Sequence, residues 1–133
     1  MTQVIKNTGI QTLEKFSTAF KEKDGAKIKQ LYHDDVRIWH GSTRQSQDRE
    51  DNVAFLSNVF DLANNIEYIN IKRHAIDGGA VQQHTLVGTF KDGTEMPSLE
   101  ACLVVKVNQE GLITEIDEYF DASQFGEVWK RLA

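Results

Sequence analysis

The sequence predicts an α+β domain in which helices pack on a curved sheet, and three observations lead to this fold class. Apolar residues recur at helical spacing as far as Asn65, interrupted by one short strand pattern, whereas from Ile66 onward the chain has successive β-branched and aromatic runs separated by turn residues. Most of the helices thus precede most of the strands, which is typical of α+β proteins. The 133 residues are enough for one domain with a real core. A sheet that curls around a helix leaves an interior cavity, the usual kind of small-molecule site.

Three helices are predicted in the N-terminal half. Thr8 and Gln11 have the spacing of a capping box, and an apolar stripe follows them as far as a break at residues 23–25. Asp24 is the expected cap of a second, shorter helix. A third helix is predicted from about Asp48 to residue 64, with its apolar side formed by Val53, Leu56, Val59 and Phe60.

The strands are predicted from β-branched and aromatic runs bounded by turns. A short strand is expected at residues 36–40, and the polar segment 41–47 is expected to be a loop. Four further strands are predicted at residues 66–76, 81–90, 96–107 and 111–121. Residues 124–132 are expected to form a short closing helix. The sheet is therefore predicted to be mixed or antiparallel and to pack on the three helices.

Composition excludes several classes of function. The net charge is −5 and no Lys/Arg cluster is present, so neither nucleic acid nor an anionic membrane is an expected partner. No apolar run approaches the ~20 residues that span a bilayer, and residues 1–7 lack the apolar core of a signal peptide. A single cysteine, Cys102, fits a reducing compartment, and a cytoplasmic protein is expected. Neither a metal-binding spacing nor a nucleotide-binding glycine pattern is present, so no cofactor is predicted.

The last predicted strand carries the leading candidate for chemistry. Alternation places Ile116, Glu118 and Phe120 on one face of this strand. If that face points inward, Glu118 lies between two apolar side chains, where desolvation favours the protonated carboxyl and suits it to proton exchange near neutral pH. The alternative is an exposed glutamate on the solvent face.

Two stretches of sequence resemble the nuclear transport factor 2-like superfamily. One is the order of a helix, the break at residues 23–25, a short helix, the segment 32–36, a strand and a third helix. The other is the ending formed by residues 110–113 and 118–121. Within the superfamily the chain is most similar to the SnoaL-like polyketide cyclases and the limonene-1,2-epoxide hydrolase relatives, over roughly residues 13–121. The resemblance implies a cone-shaped α+β fold with a deep apolar pocket, usually in a homodimer.

The resemblance also implies roles for individual residues. Glu118 stands where the epoxide-hydrolase relatives have a pocket-facing catalytic Asp, with Ile116 and Phe120 as pocket walls. The family places polar pocket residues where Ile38 and His40 stand, and histidine suits proton shuttling. A solvent-exposed His40 at the loop edge is the alternative.

The chain departs from two related enzyme patterns. The epoxide-hydrolase set of Asp, Arg and Asp is incomplete, because residues 81–90 contain neither Arg nor Asp. Ketosteroid isomerases have a Tyr on the first helix, and Phe16 occupies its place without a hydroxyl to donate to an enolate.

Further pocket residues are predicted with less specific signals. His84 is expected either in the cavity wall or as a hydrogen-bonded sheet residue. Pairing the last two predicted strands back from the turn at Gly111 predicts that Glu100, Cys102 and Val104 face the cavity. A solvated Glu100 is the alternative. Phe16, Phe20 and Trp39 are expected to border the cavity or to lie in the core or at the rim.

The sequence therefore predicts a cofactor-independent enzyme that acts on a small, apolar, carbonyl-bearing molecule by general acid/base chemistry, of cyclase, isomerase, dehydratase or lyase type. Glu118 is the expected proton-transfer residue, with His40 as its partner and as donor to the enolate oxygen. The rival hypothesis is a non-catalytic small-molecule-binding or assembly module of the same fold. A homodimer through the outer sheet face, including Tyr119, Ile113 and Val105, is expected from the resemblance.

Overall fold

A computed structural model describes residues 7–133 and confirms the predicted α+β class, with three N-terminal helices packed on a curved sheet. In chain order the elements are α1 (Thr8–Lys21), α2 (Gly25–Leu31), β1 (Tyr32–His40), β2 (Gln45–Gln47), α3 (Arg49–Leu62), β3 (Ala63–Ile76), β4 (Gly79–Phe90), β5 (Leu99–Val107), β6 (Ile113–Phe120) and α4 (Gly126–Leu132), with a 3-10 turn at Ala122–Phe125. The prediction that residues 1–7 lack a signal-peptide core concerns a segment that, apart from Asn7, lies outside the described residues. None of the helices in the described part of the chain combines the length and apolar composition needed to cross a membrane.

Side-chain caps define where the three N-terminal helices begin. Asp24 accepts from the amide of Lys27 at 3.0 Å, and Asp48 caps α3 in the same way, as the sequence predicts. The capping box predicted at Thr8 is wrong. The cap of α1 is Asn7, whose Oδ1 accepts from the Ile10 amide at 2.9 Å, so Thr8 is already helical.

The six strands form one sheet in the order β2-β1-β6-β5-β4-β3. The β1–β6 pair is parallel and every other pair is antiparallel. The segment predicted as a polar loop folds back as the short edge strand β2, where Gln45 pairs with His40. Polar composition is no obstacle to an exposed edge strand, since its hydrogen bonds come from the backbone. The parallel pairing brings His40 beside Glu118 although the two lie far apart in sequence.

A β-bulge at Thr114 decides which side chains of β5 face inward. Val107 pairs with Ile113, but Lys106 pairs with Glu115, so the register shifts by one residue and Glu118 lies opposite Leu103. Without the bulge, the register set by the Val107–Ile113 pair would continue along both strands and place Cys102, rather than Leu103, opposite Glu118. A shift of one residue exchanges the two faces of a strand.

The predicted orientation of Glu100, Cys102 and Val104 toward the cavity is therefore wrong, because these residues lie on the outer face of the sheet. The same shift overturns the placement of Val105 and Ile113 on the outer face, since both are fully buried at 0% exposure. Tyr119 does lie on the outer face.

A second bulge, in β3, has a comparable effect. Ile69 pairs with Thr85 and Lys72 with Gln83, so β3 contains one extra residue there, and Asn70 adopts a left-handed conformation with φ 53°. Tyr68 pairs with Leu86 and Arg73 with Gln82. Both Tyr68 and Arg73 consequently point to the inner face, although residues five positions apart on a regular strand point to opposite faces.

The hydrophobic core lies between the inner face of the sheet and the helices α1, α2 and α3. Leu13, Ile28 and Ile66 are completely buried at its centre. Toward the open end of the sheet this core gives way to a cavity, where polar side chains from β1, β4 and β6 reach the interior.

Candidate active site

A cavity of about 360 Å³ lies between the inner face of the sheet and the helices α1, α3 and α4. Most of its wall is apolar, formed by Phe20, Phe55, Leu56, Val59, Leu86, Leu99, Ala101, Phe120, Phe125 and Trp129. Its polar groups are Tyr68, His84 and Glu118 from the sheet, and His40, Ser42, Thr43, Gln45, Ser46 and Gln47 from β1, β2 and their connection. An apolar space of this size with a few convergent polar groups is typical of a small-molecule site.

Glu118 and His40 form a direct pair in the wall of this cavity. His40 Nδ1 lies 2.6 Å from Glu118 Oε1, because the parallel β1–β6 ladder places the two residues side by side on the inner face. The Glu118 side chain is 25% exposed and that of His40 is 14% exposed, so a molecule in the cavity reaches the carboxylate more readily than the imidazole.

A chain of hydrogen bonds that leads into the core supports the other side of His40. Nε2 lies 2.7 Å from Gln47 Oε1, which also accepts from Asn52 Nδ2 at 2.9 Å. Asn52 Oδ1 in turn accepts from the hydroxyl of Tyr32 at 2.6 Å. Gln47 Oε1 can only accept, so His40 Nε2 must carry a proton. Tyr32 is a core residue within this network.

Both ring nitrogens of His40 therefore face oxygen acceptors, an arrangement that fits the protonated imidazole. Burial on its own lowers the pKa of His40. The hydrogen bond and charge of Glu118, together with the hydrogen bond to Gln47, outweigh burial and raise the pKa above its ordinary value of 6.5. The imidazole has no N–H left for an enolate oxygen, so the sequence-based expectation that His40 supplies that hydrogen bond does not fit the geometry.

Tyr68 provides a hydroxyl that the sequence interpretation missed. Its ring stacks on Phe20 with centroids 4.3 Å apart and on His84 with centroids 3.8 Å apart. Burial, followed by the negative charge of Glu118, raises the pKa of Tyr68 well above its ordinary value, which keeps the phenol protonated. The side chain lines the cavity and is suited to donate a hydrogen bond to an oxygen atom there.

His84 lines the same cavity but has a different electrostatic environment from His40. Its side chain is nearly buried, and its Nδ1 lies 2.9 Å from Gln82 Nε2. Burial, and then the positive charge of Arg73, lowers the pKa of His84 to about 4. His84 is therefore a neutral imidazole at physiological pH, whereas His40 is held near a carboxylate that favours its charged form.

Ser42 adds an unpartnered hydroxyl to the cavity wall. Its Oγ is buried and has no hydrogen-bond partner among the described residues. A buried hydroxyl without a partner is unfavourable by roughly 1–3 kcal/mol. A polar atom on a bound molecule would satisfy it.

The structure brings together about half of the residues predicted from the sequence. Glu118, His40, His84, Phe20 and Phe120 line the cavity.

The remaining predicted residues lie elsewhere. Ile38, Ile116 and Phe16 are in the buried core beneath the cavity rather than in its wall. Trp39 lies on the outer face of the sheet and packs edge-on against Tyr119.

Glu100 also lies outside the cavity. It borders a shallow groove on the outer face, and its carboxylate accepts from the Thr85 hydroxyl at 3.0 Å. Glu100 and Glu118 therefore face opposite sides of the sheet.

The described residues contain no cluster of three His, Cys, Asp or Glu side chains able to hold a metal ion. The polar groups in the cavity are instead arranged as proton donors and acceptors: a carboxylate–imidazole pair, a phenol, a neutral imidazole and a serine. Such a set can move a proton and stabilise charge on an oxygen atom.

Comparison with known proteins supports the resemblance to the SnoaL-like proteins that the sequence shows. A family model described as a SnoaL-like domain matches residues 13–116. No functionally curated protein sequence matches the chain.

Solved structures of three other proteins overlap most of the chain. A proposed polyketide cyclase from Xanthomonas campestris pv. campestris has a TM-score of 0.74 at 16% identity, covering 95% of this chain and 97% of that one. AusH from Aspergillus nidulans has a TM-score of 0.76 at 14% identity, covering 90% and 88%. A protein from Catenulispora acidiphila DSM 44928 with a ketosteroid isomerase-like fold, in complex with trimethylamine, has a TM-score of 0.73 at 13% identity, covering 86% and 88%. At these identities the likeness concerns the fold alone.

Proposed function

This chain belongs to the SnoaL-like family, and on that premise we propose that it is a cofactor-independent enzyme that transfers a proton next to the carbonyl group of a small apolar molecule. The observation that carries the proposal is the 2.6 Å pair of Glu118 and His40 in the wall of a largely apolar cavity of about 360 Å³. Cyclisation, isomerisation, dehydration and other lyase reactions can all begin with such a transfer.

Glu118 is the proposed base. Its Oε1 is held by His40, which leaves Oε2 as the oxygen that can take a proton from a carbon beside the carbonyl. As the C–H bond breaks, its electron pair moves into the bond toward the carbonyl carbon, and negative charge develops on the carbonyl oxygen. Glu118 then returns the proton to a carbon or to a leaving oxygen, which completes the exchange without any oxidant or reductant.

His40 acts in this proposal through Glu118 rather than on the substrate. The hydrogen bonds to Glu118 and Gln47 fix the imidazole plane, and the contact with His40 holds the Glu118 carboxylate in one orientation. Donors for the developing oxyanion must come from the other polar groups, of which the phenol of Tyr68 is one.

Exchange of the methyl protons of acetophenone in D₂O, followed by proton NMR, tests the base directly and needs no knowledge of the final product. We expect the protein to accelerate exchange and Glu118→Gln to abolish the acceleration. The matched control is Glu100→Gln, which removes a carboxylate of the neighbouring strand from the opposite face and should leave exchange unchanged.

The possible results separate enzyme from binding module. Exchange that continues unchanged in Glu118→Gln would contradict the assignment of the base. Aromatic ketones that raise the melting temperature of the protein while none exchanges would favour the non-catalytic binding module. Loss of exchange in both glutamate variants would show that charge, rather than the position of Glu118, is what matters.

A homodimer stays a prediction from the family resemblance. Of the residues named for its interface, only Tyr119 is exposed, and it packs against Trp39. Sedimentation velocity at micromolar concentration tests it, and a monomer would remove it.

A further inference from the structure

A second hydrogen-bonded chain, independent of Glu118 and His40, reaches the cavity through His84. It begins at Arg73, whose Nε donates to Gln82 Oε1 at 2.9 Å and whose Nη2 donates to Ser17 Oγ at 3.1 Å. A guanidinium group has no acceptor, so the Gln82 atom that faces it must be the amide oxygen. Arg73 thereby fixes which way the Gln82 side chain points.

The orientation of Gln82 decides the tautomer of His84. With its oxygen toward Arg73, Gln82 presents its NH₂ group to His84 Nδ1 at 2.9 Å. An NH₂ group only donates, so Nδ1 must be the unprotonated nitrogen, and a neutral His84 carries its proton on Nε2. Gln82 is completely buried and His84 is 5% exposed, so water does not compete for these bonds.

We propose that Arg73 and Gln82 are positioning residues that hold His84 as a neutral Nε2–H donor for a carbonyl or other acceptor oxygen of the molecule in the cavity. The inference deepens the proposed function, on which it rests, because it names a donor that His40 cannot supply. It assigns the ligand an acceptor oxygen attached to an apolar body that fits the surrounding aromatic wall.

The surroundings of His84 favour the neutral ring. Tyr68 stacks on the imidazole face, and Arg73 is the charged group behind Gln82. Glu118 lies in another part of the same cavity wall and is already bonded to His40. A neutral donor suits an oxygen on which negative charge develops during a reaction. It stabilises that charge through a hydrogen bond and does not transfer its proton to the ligand before the reaction begins.

Nitrogen-15 NMR of the histidine rings in the intact protein tests the tautomer without any ligand. We expect His84 of the wild type to show protonated Nε2 and unprotonated Nδ1 at pH 7. Gln82→Glu keeps the size of the side chain but presents only acceptors, so Nδ1 should become protonated. Gln83→Glu adds the same charge one residue along, on the outer face, and should leave the His84 signals unchanged.

Ligand binding tests the second half of the proposal. Acetophenone and ethylbenzene have nearly the same shape, but only acetophenone has an acceptor oxygen. The ratio of their dissociation constants, acetophenone over ethylbenzene, should rise about fivefold in His84→Phe, the effect of losing one hydrogen bond. The different hydrophobicity of the two compounds cancels, because the same pair is compared in both proteins.

Three results would overturn the proposal: a wild-type His84 protonated on Nδ1, an unchanged Nδ1 in Gln82→Glu, or a ratio that stays within twofold in His84→Phe. Failure to detect acetophenone binding to the wild type would count against it equally. None of these readouts involves Glu118. If proton exchange depends on Glu118 but the ratio of dissociation constants is unchanged in His84→Phe, the proposed function stands and His84 has no part in it. If the ratio rises but the protein does not accelerate exchange, His84 is a binding residue in a non-catalytic protein.

Discussion

Acidification should destabilise this protein through His84, and His84→Phe should remove that sensitivity. The imidazole is nearly buried, receives a hydrogen bond on Nδ1 from Gln82 and lies near the positive charge of Arg73. Each of these features opposes protonation in the folded state, whereas the unfolded chain takes up the proton freely. Stability due to the neutral ring is therefore complete above pH 6.5 and is lost as the pH falls toward 4.

The size of the effect follows from the pKa values in the two states. The pKa of His84 falls from 6.5 to about 4 on folding. At 1.36 kcal/mol per unit, a difference of about 2.5 units corresponds to a loss of roughly 3 kcal/mol of unfolding free energy between pH 7 and pH 4. This is a large part of the ~5–15 kcal/mol that typically stabilises a domain.

Urea denaturation followed by tryptophan fluorescence at pH 7, 6, 5 and 4 measures the effect. At each pH, the unfolding free energy of His84→Phe is compared with that of the wild type. Carboxylates that titrate in the same pH range contribute equally to both proteins, so their effect cancels in the difference. We expect this difference to shift by about 3 kcal/mol in favour of the variant at pH 4. His74→Gln, a change at an exposed histidine of β3, is the control and should show no such shift. A difference that stays constant within about 0.5 kcal/mol from pH 7 to pH 4 would refute the reasoning.

Three further predictions concern other parts of the cavity and sheet. The raised pKa of His40 implies that the stability it contributes is complete below pH 6.5 and declines as the pH rises through the raised value. The difference in unfolding free energy between wild type and His40→Asn measures this contribution. A contribution that grows toward pH 9 would contradict the ion pair. Ser42→Ala should raise the unfolding free energy by about 1 kcal/mol and weaken ligand binding, whereas Thr89→Val, which removes another buried hydroxyl that has no partner among the described residues, should raise stability without affecting binding. Gly79→Ala should prevent folding, because its methyl group would lie 1.8 Å from a carbonyl oxygen of β5, while Gly126→Ala in open space should stabilise α4 by about 0.5–1 kcal/mol. Circular dichroism melts of the two glycine variants would decide, and equal stability would contradict the stated packing.

Much of the fold could be predicted because local signals agree with the final structure. Apolar spacing, the aspartate caps and the turn residues identify all three N-terminal helices and the four long strands. The alternation around Glu118 also holds, because Ile116 and Phe120 flank it on a regular stretch of β6 beyond the bulge. Within such stretches, a residue an even number of positions from Glu118 lies on the same face as Glu118, and a residue an odd number of positions away lies on the opposite face.

The rest of the site depends on information that local patterns do not contain. The contact between Glu118 and His40 is made by a parallel pairing between the first and last strands, whose register no turn sets. Gln47 and Asn52 join the site through tertiary hydrogen bonds that leave no periodic signal. Tyr68 is the exception, because alternation from the buried Ile66 would have placed it on the inner face.

The extra residue in β3 implies that this cavity can be rebuilt by changes in strand length. Tyr68 and Arg73 are five positions apart, yet both face inward because Asn70 is inserted between them. Deleting that one residue would exchange the inner and outer side chains along one half of the strand and withdraw Arg73 from Gln82. A relative that differs by one insertion or deletion here can thus acquire a different set of cavity groups without a single substitution, and comparison of such proteins has to follow the strand register before it compares residue types.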